Sequence, residues 1–279
     1  MTPMPSPNAD ASETVAPAQA SLGARWRAAR RQFVFNTGKK VRKRLIRFFG
    51  KQSQVGDPPV FADGDFPFTG DLEANWRTIR GELDRVLGFR DALPAFQEIS
   101  PDNDKIAVED RWKVYLLFGF GERSERNCAL CPETTRLIES IPGLKTAWFS
   151  ILSPRYHVPP HRGVTKGLLR CHLGLKIPTD REKCRIRIGQ DYVSWENGRA
   201  FVFDDTRRHE VFNETDEERV ILLLDFDRPM RPLGRLVSRT FTALLRRTAY
   251  FRDARRNQLA WEDQFHDALE RHQKEAVSG

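Results

Sequence analysis

Residues 161–178 read HRGVTKGLLRCHLGLKIP, and this run sets how the rest of the chain is read. Pro159 and Pro160 stand immediately before it, so His161 is expected at a stiff turn that leads into a strand. From Leu169 to Ile177 the run is mostly apolar. Arg170 and His172 lie two apart and therefore share one face of an extended strand. Similar short runs surround it: Ala147–Leu152, Cys184–Ile188, Ala200–Phe203, Glu210–Phe212 and Val220–Phe226. Breaks such as Ser153-Pro154, Pro178-Thr179-Asp180 and Glu196-Asn197-Gly198 separate them. Short strands with turn residues at this spacing predict an antiparallel sandwich or small barrel.

Upstream, Trp112–Phe118 (WKVYLLF) reads as a further strand. Leu72, Trp76, Ile79, Leu83 and Val86 recur at helical spacing within 71–86, and 132–141 reads as a short helix. The Pro- and Gly-containing stretch 52–68 is expected to be a linker running over the surface. Leu236, Val237, Leu244 and Leu245 predict a helix over 233–251. The expected organisation is a disordered tail over 1–22, a basic amphipathic arm over 23–51, the β-rich domain with an N-terminal helical layer over 52–229, and a helical segment over 230–279 that is basic and then acidic.

The 279 residues are 39% hydrophobic, enough for one substantial core. No apolar run is long enough to span a bilayer, and the N-terminus lacks the apolar stretch of a secretory signal, so a cytoplasmic protein is expected. The formal charge of +8 is unevenly placed. Residues 25–51 hold eleven Lys or Arg and no acid, and 228–256 hold nine Arg against one Asp, whereas 52–227 sums to −6. Two basic arms thus flank a mildly acidic domain. In the first arm Val41, Leu45, Phe48 and Phe49 form one helical face, broken off from what precedes by Asn36-Thr37-Gly38. An interfacial helix on anionic lipid and a helix packed on the domain both fit it. The four cysteines do not describe a disulfide scaffold. Cys128 and Cys131 form a single C-x-x-C, the pattern of a redox pair or of half a zinc site, but with no second pair it reads rather as ordinary buried thiols.

Of the six histidines, His157, His161, His172 and His209 fall in the strand-rich region. His161 and His209 stand at neighbouring strand ends of a small barrel, an arrangement used by non-haem Fe(II) sites. Such a site usually adds Asp or Glu two residues after the first His, and here that position is Gly163. His157 reads as a surface residue or a support for the site. Asp204 and Asp205 either orient His209 or cap the turn before it, and Trp195 is expected to pack in a hairpin.

The run 161–178, followed by WENG at 195–198, FDDTRRHE at 203–210 and RVILLLD at 219–225, resembles the aspartyl/asparaginyl β-hydroxylase family. The resemblance covers about 112–229. It implies a mainly β, double-stranded β-helix (jelly-roll) barrel with flanking helices, and an enzyme using Fe(II), 2-oxoglutarate and O2. It implies that His161 and His209 bind iron, with water in the position vacated at Gly163, as in the aspartyl hydroxylases themselves. Arg219 matches the arginine that pairs with the distal carboxylate of 2-oxoglutarate, and Arg170 and His172 match the pair near its other carboxylate. Without the resemblance, Arg170 and Arg219 would read as rim arginines paired with Asp204 or Asp225. Ser150 and Trp112 match two further co-substrate contacts, and Leu152 stands where the animal enzyme has Met.

The front segment and the CPET at 131–134 place the chain nearer the small bacterial branch, which includes lipid A acyl-chain hydroxylases. Those carry Asp at the position of Gly163. The leading expectation is therefore β-hydroxylation of Asp or Asn in a peptide or protein, the alternative a lipid acyl-chain 2-hydroxylase at a membrane surface. A non-catalytic β-helix binding protein is the rival from another class. It is disfavoured because neither metal His nor the 2-oxoglutarate Arg is lost. Nucleic acid is not an expected partner, because the basic arms contain no reading module.

Overall fold

The computed structural model describes residues 40–100, 106–107, 109–119 and 121–278, so the expectations for the tail and most of the first arm lie outside the described residues. The chain divides into two compact units, Met1–Arg44 and Leu45–Gly279. Residues 40–44 of the first are helical. The second opens with helix α1 over 45–52, in which Phe49 is buried.

Among the described residues ten strands form two antiparallel sheets: β1 (Trp112–Gly119), β2 (Glu122–Arg123), β3 (Leu144–Leu152), β4 (Tyr156–His161), β5 (Leu168–Lys176), β6 (Cys184–Ile188), β7 (Asp191–Ser194), β8 (Ala200–Phe203), β9 (His209–Asn213) and β10 (Arg219–Asp227). The larger sheet has the order β2-β1-β3-β10-β5-β8, the smaller β4-β9-β6-β7. Two facing sheets of this kind make a jelly roll. Alternation along the central strands sorts their side chains into two cores. Tyr115, Leu117, Phe149, Leu173, Leu222 and Leu224 face outwards and pack with the helices. Trp112, Leu152, Phe203, Ile221 and Leu223 face inwards and meet Tyr156, Ile186, Ile188 and Val211 of the smaller sheet.

The helical layer consists of α2 (Phe68–Ala74), α3 (Trp76–Leu87), α4 (Phe96–Ile99), α5 (Glu125–Leu130), α6 (Pro132–Glu139), α7 (Pro232–Arg246) and α8 (Ala249–Ser278). The helix expected over 71–86 is two helices, because Asn75 leaves the helical region at φ −105°, ψ 10°. The stripe survives the break, since Leu72, Ile79, Leu83 and Val86 are all buried in one core. The expected C-terminal helix likewise becomes α7 and α8, and the second reaches Ser278.

Two expectations are corrected. The stretch 52–68 is no surface linker, for Phe61 and Phe66 are 5% and 6% exposed. The Phe61 N–H donates to the Val202 carbonyl, and Val60 bridges to Phe203, so the segment closes the edge of β8. Its prolines break regular structure without keeping the aromatics out of the core. Phe66 meets Phe61 and Phe226 edge to face, both at 5.3 Å between ring centres. Phe66→Ala is therefore expected to cost about 3–5 kcal/mol in a urea melt, and a loss below about 1 kcal/mol would return the segment to linker status.

The second correction concerns His161, which ends strand β4 itself instead of preceding a strand. β4 lies at the edge of the smaller sheet, where Pro159 and Pro160 need no N–H for an outer neighbour. The register shifts between Val158 and His161, and this irregularity brings His161 opposite His209.

Candidate functional site

The two histidines are cross-strand partners, with ring centres 4.2 Å apart. Each ring is oriented by its own backbone. His161 Nδ1–H donates to the Pro159 carbonyl at 2.8 Å, and His209 Nδ1–H to the Arg207 carbonyl at 2.9 Å. A donating Nδ1 leaves the Nε2 lone pair of each neutral ring for a ligand. Burial holds both rings neutral. Desolvation lowers His161, and desolvation followed by the neighbouring His161 lowers His209 to about 3. The two aspartates do not orient His209 with their carboxylates. Asp204 caps the turn, accepting from the Thr206 N–H and hydroxyl, and is paired with Lys166 at 2.6 Å and Arg228 at 3.0 Å.

Asp205 has a different place. The Gly163 N–H donates to its carbonyl at 2.8 Å, and its carboxylate occupies the space a side chain at 163 would need. A Cβ built on Gly163 would lie 2.0 Å from Asp205 Oδ2. Asp205 Oδ1 is buried without a hydrogen-bond partner among the described residues. Burial first, then opposing effects of Arg170 and the nearby Asp225, raise this carboxyl to about 7. A carboxyl group is therefore present beside the acid position that Gly163 vacates, delivered by the turn between β8 and β9. The contact joins residues 42 apart in sequence, so no local motif announces it.

Gly163→Ala is expected to destabilise the chain by about 1–3 kcal/mol through overlap with Asp205, and Asp205→Ala in the same chain should recover most of it. Thermal melts of the two single variants and the double variant measure this coupling. Strictly additive losses would place Asp205 elsewhere.

Behind the histidines, the inner face of the larger sheet carries a polar set in an otherwise apolar wall. On β10, Arg219 is 2% exposed, and its Nε and Nη1 have no hydrogen-bond partner among the described residues. Desolvation pulls its pKa down to about 10, and its guanidinium lies 4.8 Å from the Trp195 ring centre. On β5, His172 accepts the Trp195 indole N–H through Nδ1 at 3.3 Å. The proton of this neutral ring is thus on Nε2, which is buried and unpartnered. Desolvation, then Arg170 and Arg219, hold the ring neutral far below its usual range. Trp195, expected only to pack, therefore orients His172 and covers Arg219. Ring contacts run from His209 through Phe203, at 5.7 Å, to His172, at 5.0 Å, so the histidine pair and the cationic end share one interior.

The other expected residues divide into pairs. Trp112 donates its indole N–H to the Ser150 hydroxyl at 3.0 Å and stacks on Phe96, which leaves the Ser150 proton to donate. Arg170 is held by Asp225 through two bonds of 2.7 and 3.0 Å, and its Nη2 lies 3.5 Å from Asp205 Oδ2. Leu152 is fully buried. His157 bonds to Glu210 at 3.0 Å, stacks on Phe212 and lies on the outer side, 47% exposed. Among the described residues all four cysteines are free and buried, and burial raises Cys128 and takes Cys131 to about 12, so the C-x-x-C is a pair of idle thiols.

A cleft of about 170 Å³ opens over this interior, with His161, Arg170 and Asp205 at its base. Its walls are largely apolar, with Phe96, Trp112, Trp148, Val164, Leu168 and Leu245.

An orphaned buried cation is costly unless a ligand completes it. Arg219 offers donors without acceptors among the described residues, which fits one carboxylate of a dicarboxylic acid, and the Nε2–H of His172 offers a donor for its other end. The two Nε2 atoms fit a borderline metal ion such as Fe(II), although no cluster of three His, Cys, Asp or Glu around a metal position occurs among the described residues. Iron and 2-oxoglutarate thus fit the residues present, the metal through two protein ligands.

The chain is 40% identical over 220 residues to an ornithine lipid ester-linked acyl 2-hydroxylase of Rhizobium tropici, covering 79% of this chain and 78% of that one. It is 34% identical over 163 residues to the human aspartyl/asparaginyl beta-hydroxylase, covering 57% of this chain but 21% of that protein. It is 31% identical over 207 residues to human aspartate beta-hydroxylase domain-containing protein 2, covering 66% of this chain and 54% of that protein. The family model for aspartyl/asparaginyl beta-hydroxylases matches residues 73–229, which hold His161, His209, Arg170, His172, Asp205 and Arg219, and the chain belongs to that family of hydroxylases.

Proposed function

We propose that this chain is an Fe(II)- and 2-oxoglutarate-dependent dioxygenase that hydroxylates a lipid acyl chain. The observation that carries the co-substrate is the buried Arg219, whose Nε and Nη1 have no hydrogen-bond partner among the described residues, in the same interior as the similarly unpartnered Nε2–H of His172. When bound, iron with O2 and 2-oxoglutarate supplies the oxidising power that replaces a C–H by a C–OH. The protein's own part is positional. His161 and His209 hold the metal through Nε2, each ring set by its carbonyl acceptor. Arg219 grips one carboxylate of the co-substrate, and its planar fork suits that task. Arg170 and His172 stand on the same strand face for the other end, Arg170 already fixed by Asp225. Ser150 keeps a hydroxyl proton for the co-substrate because Trp112 fills its acceptor side.

The apolar walls of the cleft favour an acyl chain as substrate, as does the similarity to a lipid acyl 2-hydroxylase. Hydroxylation of a peptide Asp or Asn is the second reading, favoured by Gly163, the residue the resemblance assigns to the aspartyl hydroxylases.

The test supplies purified protein with Fe(II), 2-oxoglutarate and O2, and offers it an ester-linked aminolipid, a phospholipid and an Asp/Asn-containing peptide in parallel. Mass spectrometry should find one added oxygen on a lipid acyl chain, with succinate formed in step. Oxygen added to the peptide alone would replace the lipid reading, and no 2-oxoglutarate turnover with any of the three would remove the dioxygenase assignment.

A further inference from the structure

Helix α7 carries no acidic residue from Pro232 to Arg246, yet three of its four leucines lie outside. Leu233, Leu236 and Leu244 are 57%, 64% and 58% exposed. At helical spacing these three fall on one stripe. Arg235, Arg239 and Arg246, four and seven residues apart, form a row along its edge. The stripe cannot turn inwards, because the opposite side is locked to the body. Gly234 is buried, and a Cβ there would lie 2.5 Å from Gln52 Cβ, while Ser238 packs so closely that a Cβ on Gly167 would lie 2.2 Å from its Oγ. No carboxylate pairs with Arg235 or Arg239 among the described residues, and Arg246 reaches Glu122 only at 3.7 Å.

The helix also has a defined relation to the site. Thr242, Leu245 and Arg246 wall the cleft over His161. Arg235 and Arg239 rim a neighbouring groove of about 500 Å³ lined by Phe66, Phe68 and Phe226. A leucine stripe bordered by arginines, with no acid, is the pattern of a helix lying in the headgroup region of an anionic bilayer. Nucleic acid would engage the arginine row and leave the leucines in water. A second copy meeting this face antiparallel about a two-fold axis would bring like arginine rows together.

We propose that α7 is a membrane-docking helix that seats the mouth of the cleft on an anionic bilayer, so that an acyl chain enters from the lipid and not from water. The proposal deepens the acyl-hydroxylase reading and rests on it for the substrate alone. Among the described residues no helix is long and apolar enough to cross a membrane, so docking of this kind is peripheral.

The experiment is flotation of the full chain with vesicles of phosphatidylcholine alone or mixed with phosphatidylglycerol. Binding should require phosphatidylglycerol and weaken with salt. Leu233→Asp, Leu236→Asp and Leu244→Asp combined should lower the partition coefficient at least about tenfold. Arg235→Gln with Arg239→Gln should lower binding to the anionic vesicles several-fold. Both variants change exposed positions, and unchanged thermal midpoints confirm that they fold. The proposal is overturned if the leucine variant binds like the parent, if the parent binds neither vesicle, or if light scattering shows a dimer that the leucine variant alone abolishes. Flotation reads no turnover, so its failure leaves the hydroxylase reading standing, and absence of lipid oxidation leaves the flotation result intact.

Discussion

Replacing Arg219 by methionine is expected to raise the stability of the free protein while removing its use of 2-oxoglutarate. The two effects have one cause. The Arg219 guanidinium is buried with Nε and Nη1 unpartnered among the described residues, and desolvation, against a smaller opposing effect of Cys184, pulls its pKa to about 10. In the absence of a ligand this charge is a net cost, and exchanging buried ions for apolar side chains of similar size often gains about 1–4 kcal/mol. Methionine keeps the aliphatic bulk against the Trp195 ring and removes the charge. With 2-oxoglutarate present the sign reverses, because the carboxylate loses a charge-assisted, two-point contact worth about 3–5 kcal/mol. The KM for 2-oxoglutarate should therefore rise at least a hundredfold, at roughly 1.4 kcal/mol per tenfold. Urea melts of the ligand-free protein, set beside 2-oxoglutarate saturation curves, measure both. A variant that loses stability and keeps its KM would make Arg219 a structural residue.

His209→Ala is expected to abolish metal binding and to reduce turnover by on the order of a thousandfold or more. The size follows from the ligand count. With glycine at 163 the protein offers two imidazole nitrogens, so losing one leaves a single anchor. The parent rings are held neutral, His209 with a pKa near 3, so at neutral pH neither must shed a proton to bind metal. His161→Ala should behave in the same way. His157→Ala is the internal control, since that ring lies on the outer side against Glu210 and Phe212 and should leave turnover unchanged. Metal content by atomic emission and succinate formation give the readouts. Full iron-dependent turnover in either alanine variant of the pair would end the assignment.

How much of this was legible in the sequence depended on how local the signal was. His161 and His209 could be placed at strand ends because strands and their breaks punctuate the chain regularly, whereas Arg219 took its role from the resemblance, since at the start of the apolar run RVILLLD it reads by itself as a rim arginine. The facing of Arg170 and His172 followed from strand alternation alone, and both do lie on the inner face. Strand β4 escaped because its prolines read as a turn, and only its place at a sheet edge makes them tolerable. Phe61 and Phe66 escaped because they lie between turn residues, where composition argues for solvent. The role of Asp205 was out of reach for another reason. Its contact with Gly163 exists only when β4 and the turn before β9 are side by side, and neither residue alone carries a sign of it. Trp195 shows the same limit, since its two partners, His172 and Arg219, come from different strands.

The most direct test of the central claim, that two histidines and one buried arginine build a single metal and co-substrate site, is a crystal structure of the chain grown without oxygen with Mn(II) and 2-oxoglutarate. The account predicts one metal ion on the Nε2 atoms of His161 and His209, and one co-substrate whose far carboxylate meets Arg219 and whose near end lies at the metal. A metal bound elsewhere, or an Arg219 that remains unpartnered while 2-oxoglutarate binds, would contradict it.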